Sequence, residues 1–189
     1  MTTFAAMLRS INVGGRNRVA MEDLRALVAS IGYGHVATYL QSGNVIFTGR
    51  GGSRKAAKAI EERITADLGL SVPVLARNSS ELAGVLASTP YGRLDVDPRT
   101  LHVTFLDAAP DPTDVQDLVE RADGFGTDRF EVIGTEIYLH CPGGYGETKL
   151  NNGYLERRLG VRATTRNWRT VTALAERCGV ERPTPQSPV

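Results

Sequence analysis

The sequence has little cysteine and tryptophan and no long hydrophobic run. Its 189 residues include 2 cysteines and 1 tryptophan. Cys141 and Cys178 lie far apart without a CxxC motif, which excludes a disulfide framework and a zinc site built on paired cysteines, and which suits a reducing compartment. No apolar segment is long enough for export or for spanning a bilayer. We therefore expect a cytoplasmic protein that has no contact with membranes.

The chain also lacks an excess of charge of either sign. Its 22 basic and 21 acidic residues leave a formal net charge of +1. Bulk electrostatics therefore favour neither nucleic acid nor a membrane surface as a partner, and any basic site must be local.

Familiar catalytic and cofactor-binding motifs are missing as well. There is no GxGxxG, no GxxxxGK[ST] and no GxSxG, and His35, His102 and His140 have neither HxH nor HExxH spacing. We predict no metal and no cofactor, and the sequence assigns no catalytic residue. Whether the protein is an enzyme stays open at this point.

Hydrophobic periodicity predicts a repeated α+β topology. Strands and helices alternate as β-α-β-β-α-β in residues 1–78, and the same order begins again in residues 100–179. Each half is ferredoxin-like, with two helices on one face of a mainly antiparallel four-stranded sheet. Residues 79–99 are predicted to hold a helix and a linker, a further helix ends the second half, and the proline-containing residues 180–189 are predicted to form a disordered tail. Five glycines are predicted to end helices: Gly32, Gly69, Gly124, Gly160 and Gly179.

The loop after the first strand has two interpretations. Its glycines, Gly14 and Gly15, expose backbone amides that can cradle an anion, and neighbouring arginines could add positive charge. Acidic residues at 22 and 23, in the first turn of the next helix, would however repel a phosphate there. The alternative is a structural glycine turn with exposed arginines.

Two further polar segments have similar alternatives. Gln41, Ser42 and Asn44 lie at the predicted hairpin tip, where they could hydrogen-bond a ligand or satisfy the turn itself. Asn167 and Trp168 follow Arg166 before the last helix, where they could stack on a base or grip an acidic partner. Asn167 could equally cap that helix while Trp168 packs beneath it.

Three sequence blocks together resemble one family. They are LRSINVGG at 8–15, YLQSGNV at 39–45 and TTRNWRT at 164–170, and they resemble the bacterial domain of unknown function 1697 family over the chain except the tail. The resemblance implies an intracellular protein with a tandem ferredoxin-like core, and it brings no established activity. It gives a reason to group as one candidate ligand site Arg9, Asn12, Gly14, Gly15, Gln41, Ser42, Asn44, Lys149, Arg166, Asn167 and Trp168.

Three hypotheses follow for function. The first is a binding module in which this polar group recognises a nucleotide, single-stranded nucleic acid or a small anionic molecule. The second is an enzyme acting on a small anionic metabolite at the junction of the halves. The third is a structural or protein-interaction role in which the polar blocks lock one half of the chain against the other.

Overall fold

The structure is a computed structural model that describes residues 1–12, 14, 17–92 and 96–181. The strands are β1 Thr2–Leu8, β2 Gly34–Tyr39, β3 Asn44–Gly49, β4 Val74–Asn78, β5 Leu101–Leu106, β6 Arg129–Ile133, β7 Glu136–His140 and β8 Ala163–Asn167. The helices are α1 Met21–Ser30, α2 Ser53–Leu68, α3 Ser79–Ala87, α4 Pro112–Glu120, α5 Asn152–Leu159 and α6 Trp168–Arg177. Short 3-10 helices occupy Pro98–Thr100 and Ala122–Phe125.

The chain divides into two compact units. The first comprises Met1–Ser88 together with Thr172–Val189, and the second comprises Thr89–Val171. The finer partition at residues 78, 99 and 179 stays a prediction, and the predicted disordered tail falls mostly on residues 182–189, outside the described part of the chain. No helix among the described residues combines the length and apolar character needed to cross a bilayer.

The first unit contains an antiparallel sheet in the order β2-β3-β1-β4. Strand β1 lies in the centre, and its alternate residues Phe4, Ala6 and Leu8 belong to the hydrophobic core with residues of α1 and α2. Phe4 stacks on Phe47 of β3 at a ring-centroid distance of 5.4 Å. The opposite side chains of β1, such as Met7, are also fully buried. A central strand buried on both faces explains why its sequence is apolar throughout.

The second unit repeats this arrangement in the order β6-β7-β5-β8. Leu106 of β5 and Leu139 of β7 share a core with Leu118 of α4 and Leu155 of α5. The predicted ferredoxin-like arrangement of each half is therefore confirmed. The β-α-β-β-α-β order follows from apolar periods of two and of three to four residues, which the sequence shows directly.

Four of the five predicted helix-ending glycines have left-handed φ where the helix ends, with Gly32 and Gly179 two residues past the last residue of α1 and α6, and the prediction is wrong at the fifth. Gly69 and Gly160 are C-caps with φ of 63° and 65°. Gly124 does not end α4, because the helix stops at Glu120 and Gly124 lies inside the following 3-10 helix. The Arg121 N–H reaches the carbonyls of residues 118 and 119 with an ordinary backbone conformation, so this helix ends by tightening into a 3-10 turn.

Candidate functional site

The two units differ most in two loops. The connection from β1 to α1 spans residues 9–20, whereas its counterpart from β5 to α4 spans only residues 107–111. The connection from β7 to α5 spans residues 141–151, whereas the corresponding connection in the first unit, from β3 to α2, spans only residues 50–52. Since loops carried by a common scaffold are where function is usually placed, these two insertions are the first places to look for a site.

Asn12 organises the described part of the first insertion. Its Oδ1 accepts a hydrogen bond from the Val19 N–H at 2.9 Å, and its Nδ2 donates to the Val19 carbonyl at 2.9 Å. Nδ2 also donates to the Gln41 carbonyl at 3.0 Å, which ties the loop to the β2–β3 hairpin. The Asn12 amide thus pairs with backbone groups of two segments. Of the two interpretations of this residue, the geometry favours a structural one.

Asn44 has the same kind of role in the hairpin. It is fully buried, and its Nδ2 donates to the Tyr39 carbonyl at 2.9 Å and to the Ser42 Oγ at 3.2 Å. The turn uses positive φ at Leu40 (60°) and Gly43 (77°), not at Asn44. A Cβ on Gly43 would lie only 2.6 Å from Cδ1 of Ile11, so only glycine fits there.

The end of α6 also contacts this hairpin. The Arg177 guanidinium carbon lies 4.6 Å from the centroid of the Tyr39 ring, within cation–π range. Tyr39 directly precedes the turn, so the position of the turn is fixed from the side of α6 as well as by Asn12 and Asn44.

An open pocket lies between the insertion and the hairpin. Its volume is about 480 Å³, and it is lined by Asn12, Arg18, Val19, Ala20 and Gln41. Arg18 and Gln41 are exposed, and their side chains form no hydrogen bond or ion pair with other residues that the structure describes. Their guanidinium and amide are therefore able to receive a ligand.

Other predicted residues of the first unit are not among the described residues that line this pocket. Arg9 is partly buried at the end of β1, and its N–H donates to the Pro73 carbonyl at 2.9 Å. Gly14 is exposed with φ of 60°. Gly15 lies outside the described residues.

Arg166 and Asn167 are explained by an internal repeat. Arg166 pairs with Val103 in the β5–β8 ladder, just as Arg77 pairs with Ala5 in the β1–β4 ladder. Each arginine donates from Nη1 to the carbonyl of the preceding residue, at 2.9 Å for Arg166 and 3.0 Å for Arg77. Burial lowers the pKa of Arg166 to about 10, although the neighbouring Tyr145 raises it.

The asparagine after each arginine caps the next helix. Asn78 forms a capping box with Glu81 at the start of α3, and Asn167 Oδ1 accepts from the Thr170 N–H at 2.8 Å at the start of α6. An Arg-Asn pair that recurs at the same place in both units is a folding device at the end of a strand. The sequence shows this repeat as RN at 77–78 and at 166–167.

The remaining predicted residues are Lys149 and Trp168. Lys149 is exposed in the second insertion, and its Nζ donates to the Gly124 carbonyl at 3.0 Å. Trp168 is the first residue of α6 and is partly buried. These residues lie in the second unit, whereas the pocket lies in the first, so a single patch that includes all the predicted residues stays a prediction.

A hydroxyl network lies on one face of the second sheet. Thr165 Oγ1 is 2.7 Å from Thr104 Oγ1, accepts from the Tyr145 hydroxyl at 3.0 Å, and lies 2.7 Å from Asn152 Oδ1. The Tyr145 ring, from the second insertion, stacks on His102 at 4.9 Å. Burial lowers the pKa of His102 and so disfavours a charged imidazole beside this network. It fastens the second insertion to the sheet.

Sequence reasoning missed part of the pocket. It singled out Asn12 and Gln41, and it named the arginines beside Gly14 and Gly15, of which Arg18 lines the pocket, but it did not name Val19 and Ala20. The length of the β1–α1 connection relative to its counterpart was the available signal. Among the described residues, no group of three or more histidine, cysteine or acidic side chains is placed to hold a metal ion.

Fold and site together define a tandem ferredoxin-like α+β protein with an open pocket beside the β1–α1 loop of its first unit. The family described as "Protein of unknown function (DUF1697)" matches residues 1–138, and the chain belongs to this family. No curated protein matches the sequence. A solved structure, the conserved bacterial protein SP0830 from Streptococcus pneumoniae, is similar with a TM-score of 0.68 and 21% identity. The match covers 94% of this chain and 98% of that chain, and at this identity it supports the fold alone.

Proposed function

We propose that the protein is a ligand-binding module whose first unit takes up a small anionic molecule in the pocket lined by Asn12, Arg18, Val19, Ala20 and Gln41. The observation that carries this proposal is the pairing of Arg18 and Gln41 in one pocket. A guanidinium offers several donors and a fixed positive charge, and an amide offers one donor pair and one acceptor. Both side chains can turn toward a ligand without giving up a bond to the described residues.

The hydrogen bonds and backbone conformation of the β1–α1 loop and the hairpin turn support binding of a specific ligand. Asn12 is committed to backbone groups of residues 19 and 41, and four residues of this loop and turn have positive φ without being glycine: Ser10, Asn12, Asn17 and Leu40. Such conformations persist only where the surrounding structure fixes them, and they concentrate at functional sites. A wall held in this way loses little entropy when a ligand binds.

The size and composition of the pocket favour a small molecule over nucleic acid. A volume of about 480 Å³ lies within the range of small-molecule sites. Single-stranded nucleic acids are usually held by stacking on aromatic rings, and the described lining residues include none. The described lining residues also include no side chain that serves as a nucleophile or as a general base near neutral pH, so binding is favoured over catalysis.

The test is to titrate the full chain with a library of small anions and to monitor binding by nuclear magnetic resonance. We expect shifts of the backbone signals of Asn12, Val19 and Gln41. Replacing Arg18 by alanine should weaken binding by about tenfold to a hundredfold, because a charge-assisted hydrogen bond contributes about 1.5–3 kcal/mol.

Arg50→Ala provides the matched control. Arg50 is an exposed arginine that follows β3, at the opposite end of that strand from the hairpin turn, and its removal changes the net charge by the same amount. Equal losses of affinity in the two variants would mean that the anions bind through net charge and not in the pocket. No binding of any anion would refute the proposed function.

A further inference from the structure

The lining of the pocket includes apolar residues as well as polar ones. Val19, which is 4% exposed, and Ala20 form part of the lining together with Arg18 and Gln41. Next to Gln41, Leu40 is 53% exposed although it is a large hydrophobic residue. The backbone of Leu40 has φ of 60°, a conformation that leucine rarely adopts. An exposed leucine held in an unfavourable conformation beside a pocket indicates an apolar contact with whatever binds there.

The charges of the described lining residues and of the first turn of α1 favour a ligand with one negative charge. Arg18 is the cation of the described lining, while Glu22 and Asp23 lie in the first turn of α1, directly after the lining residue Ala20. These carboxylates repel a second negative charge on the ligand and weaken the attraction of the helix N-terminus for a phosphate dianion. A carboxylate carries one charge and matches the planar guanidinium with two parallel hydrogen bonds.

From these two observations we infer that the ligand is a small carboxylate with an aliphatic or aromatic body. This inference rests on the proposed function and narrows it. The carboxylate pairs with Arg18, the Gln41 amide hydrogen-bonds a polar atom near it, and the body covers Val19, Ala20 and Leu40. Phosphates and nucleotides, which are more highly charged and more polar, are then poor ligands.

A series of defined probes tests the inference by calorimetry and nuclear magnetic resonance. The carboxylates are acetate, butanoate, 4-methylpentanoate and phenylacetate, and the comparisons are inorganic phosphate, adenosine monophosphate and the neutral 4-methylpentanamide. We expect affinity to rise roughly fourfold for each buried methylene group between acetate and 4-methylpentanoate. The amide, which has the same shape without the charge, should bind roughly tenfold or more weakly.

The substitution Leu40→Asn separates the apolar contact from the fold. Asparagine tolerates positive φ better than leucine, so this variant should melt no lower than the wild type. It should lose roughly threefold to tenfold in affinity for 4-methylpentanoate and nothing for acetate. Leu68→Asn, at an exposed leucine at the end of α2, is the control and should change neither affinity.

The outcomes distinguish this inference from the proposed function. Binding of phosphate or the mononucleotide in preference to every carboxylate, with loss in Arg18→Ala, would overturn the carboxylate assignment and leave the anion site standing. Affinity independent of chain length, or unaffected by Leu40→Asn, would also overturn it. Binding of none of the anionic probes would overturn both.

Discussion

Replacing Asn12 tests whether this asparagine holds the β1–α1 loop or contacts a ligand. Its side chain makes three hydrogen bonds, two with the backbone of Val19 and one with the carbonyl of Gln41, at 2.9–3.0 Å. Glycine removes all three while still accepting the φ of 56° that Asn12 adopts. The change Asn12→Gly therefore isolates the hydrogen bonds from the backbone strain.

The expected loss follows from the number and burial of these bonds. Each hydrogen bond contributes about 1 kcal/mol net. Val19 is 4% exposed, so its N–H and carbonyl would lose the Asn12 amide as a partner without gaining access to water. We expect Asn12→Gly to lower the free energy of unfolding by roughly 3 kcal/mol. For a chain of this length that corresponds to a fall in melting temperature of roughly 6–12 °C. Asn12→Ala should cost about 1 kcal/mol more, because alanine is strained at positive φ.

Thermal and urea denaturation, monitored by circular dichroism, measure these losses. Asn17→Gly is the matched control, since Asn17 lies in the same loop with φ of 46° but makes one long hydrogen bond, 3.5 Å from Nδ2 to the Ser10 carbonyl. Asn17→Gly should change the melting temperature by less than about 3 °C.

The reasoning would be refuted if Asn12→Gly had the same melting temperature as Asn17→Gly and also lost affinity for the ligand. That result would place the Asn12 amide in contact with the ligand and leave the loop held by other groups.

Three further predictions concern other parts of the structure. Gly43→Ala should destabilise the first unit by about 2 kcal/mol or more in urea denaturation, because the added Cβ would lie 2.6 Å from Ile11 Cδ1. Gly51→Ala is the control and should cost about 1 kcal/mol, because Gly51 also has positive φ, 102°, but an added Cβ would meet its nearest atom at 3.7 Å. Asn167→Ala should cost about 1 kcal/mol by loss of the α6 cap, and an unchanged melting temperature would contradict the capping role. Burial lowers the pKa of His102, so the unfolded chain binds a proton at this imidazole more readily than the folded chain does. The free energy of unfolding should therefore be highest above about pH 6.5, the ordinary pKa of histidine, and should fall as the pH is lowered further. His102→Gln should reduce this dependence of the melting temperature on pH.

Much of the fold was predictable because its signals are local. The run of apolar residues in β1, the three- and four-residue spacing in α1 and the glycine after α2 each specify an element from neighbouring residues. The repeated element order in the two halves follows directly. The end of α4 was not predictable from Gly124, because an ordinary residue can end a helix when the next turn tightens.

The candidate site was predictable only in part. Gln41 could be recognised as a polar side chain at a hairpin tip. The sequence does not reveal that the side chain of Asn12, 29 positions earlier, donates a hydrogen bond to the Gln41 carbonyl. The sequence left Asn12, Asn44 and Asn167 each open to a ligand contact or to a structural role, and the geometry pairs all three with backbone groups. An asparagine looks the same in a sequence whether its amide faces a ligand or a neighbouring strand.

The sequence by itself determined the α+β class, the two ferredoxin-like halves and the family, since these depend on periodicity and on short ordered motifs. The tertiary structure decided which polar residues are used within the fold and which face a pocket. That choice depends on distances between segments far apart in the chain, such as Asn12 to Gln41, and no local pattern records those distances.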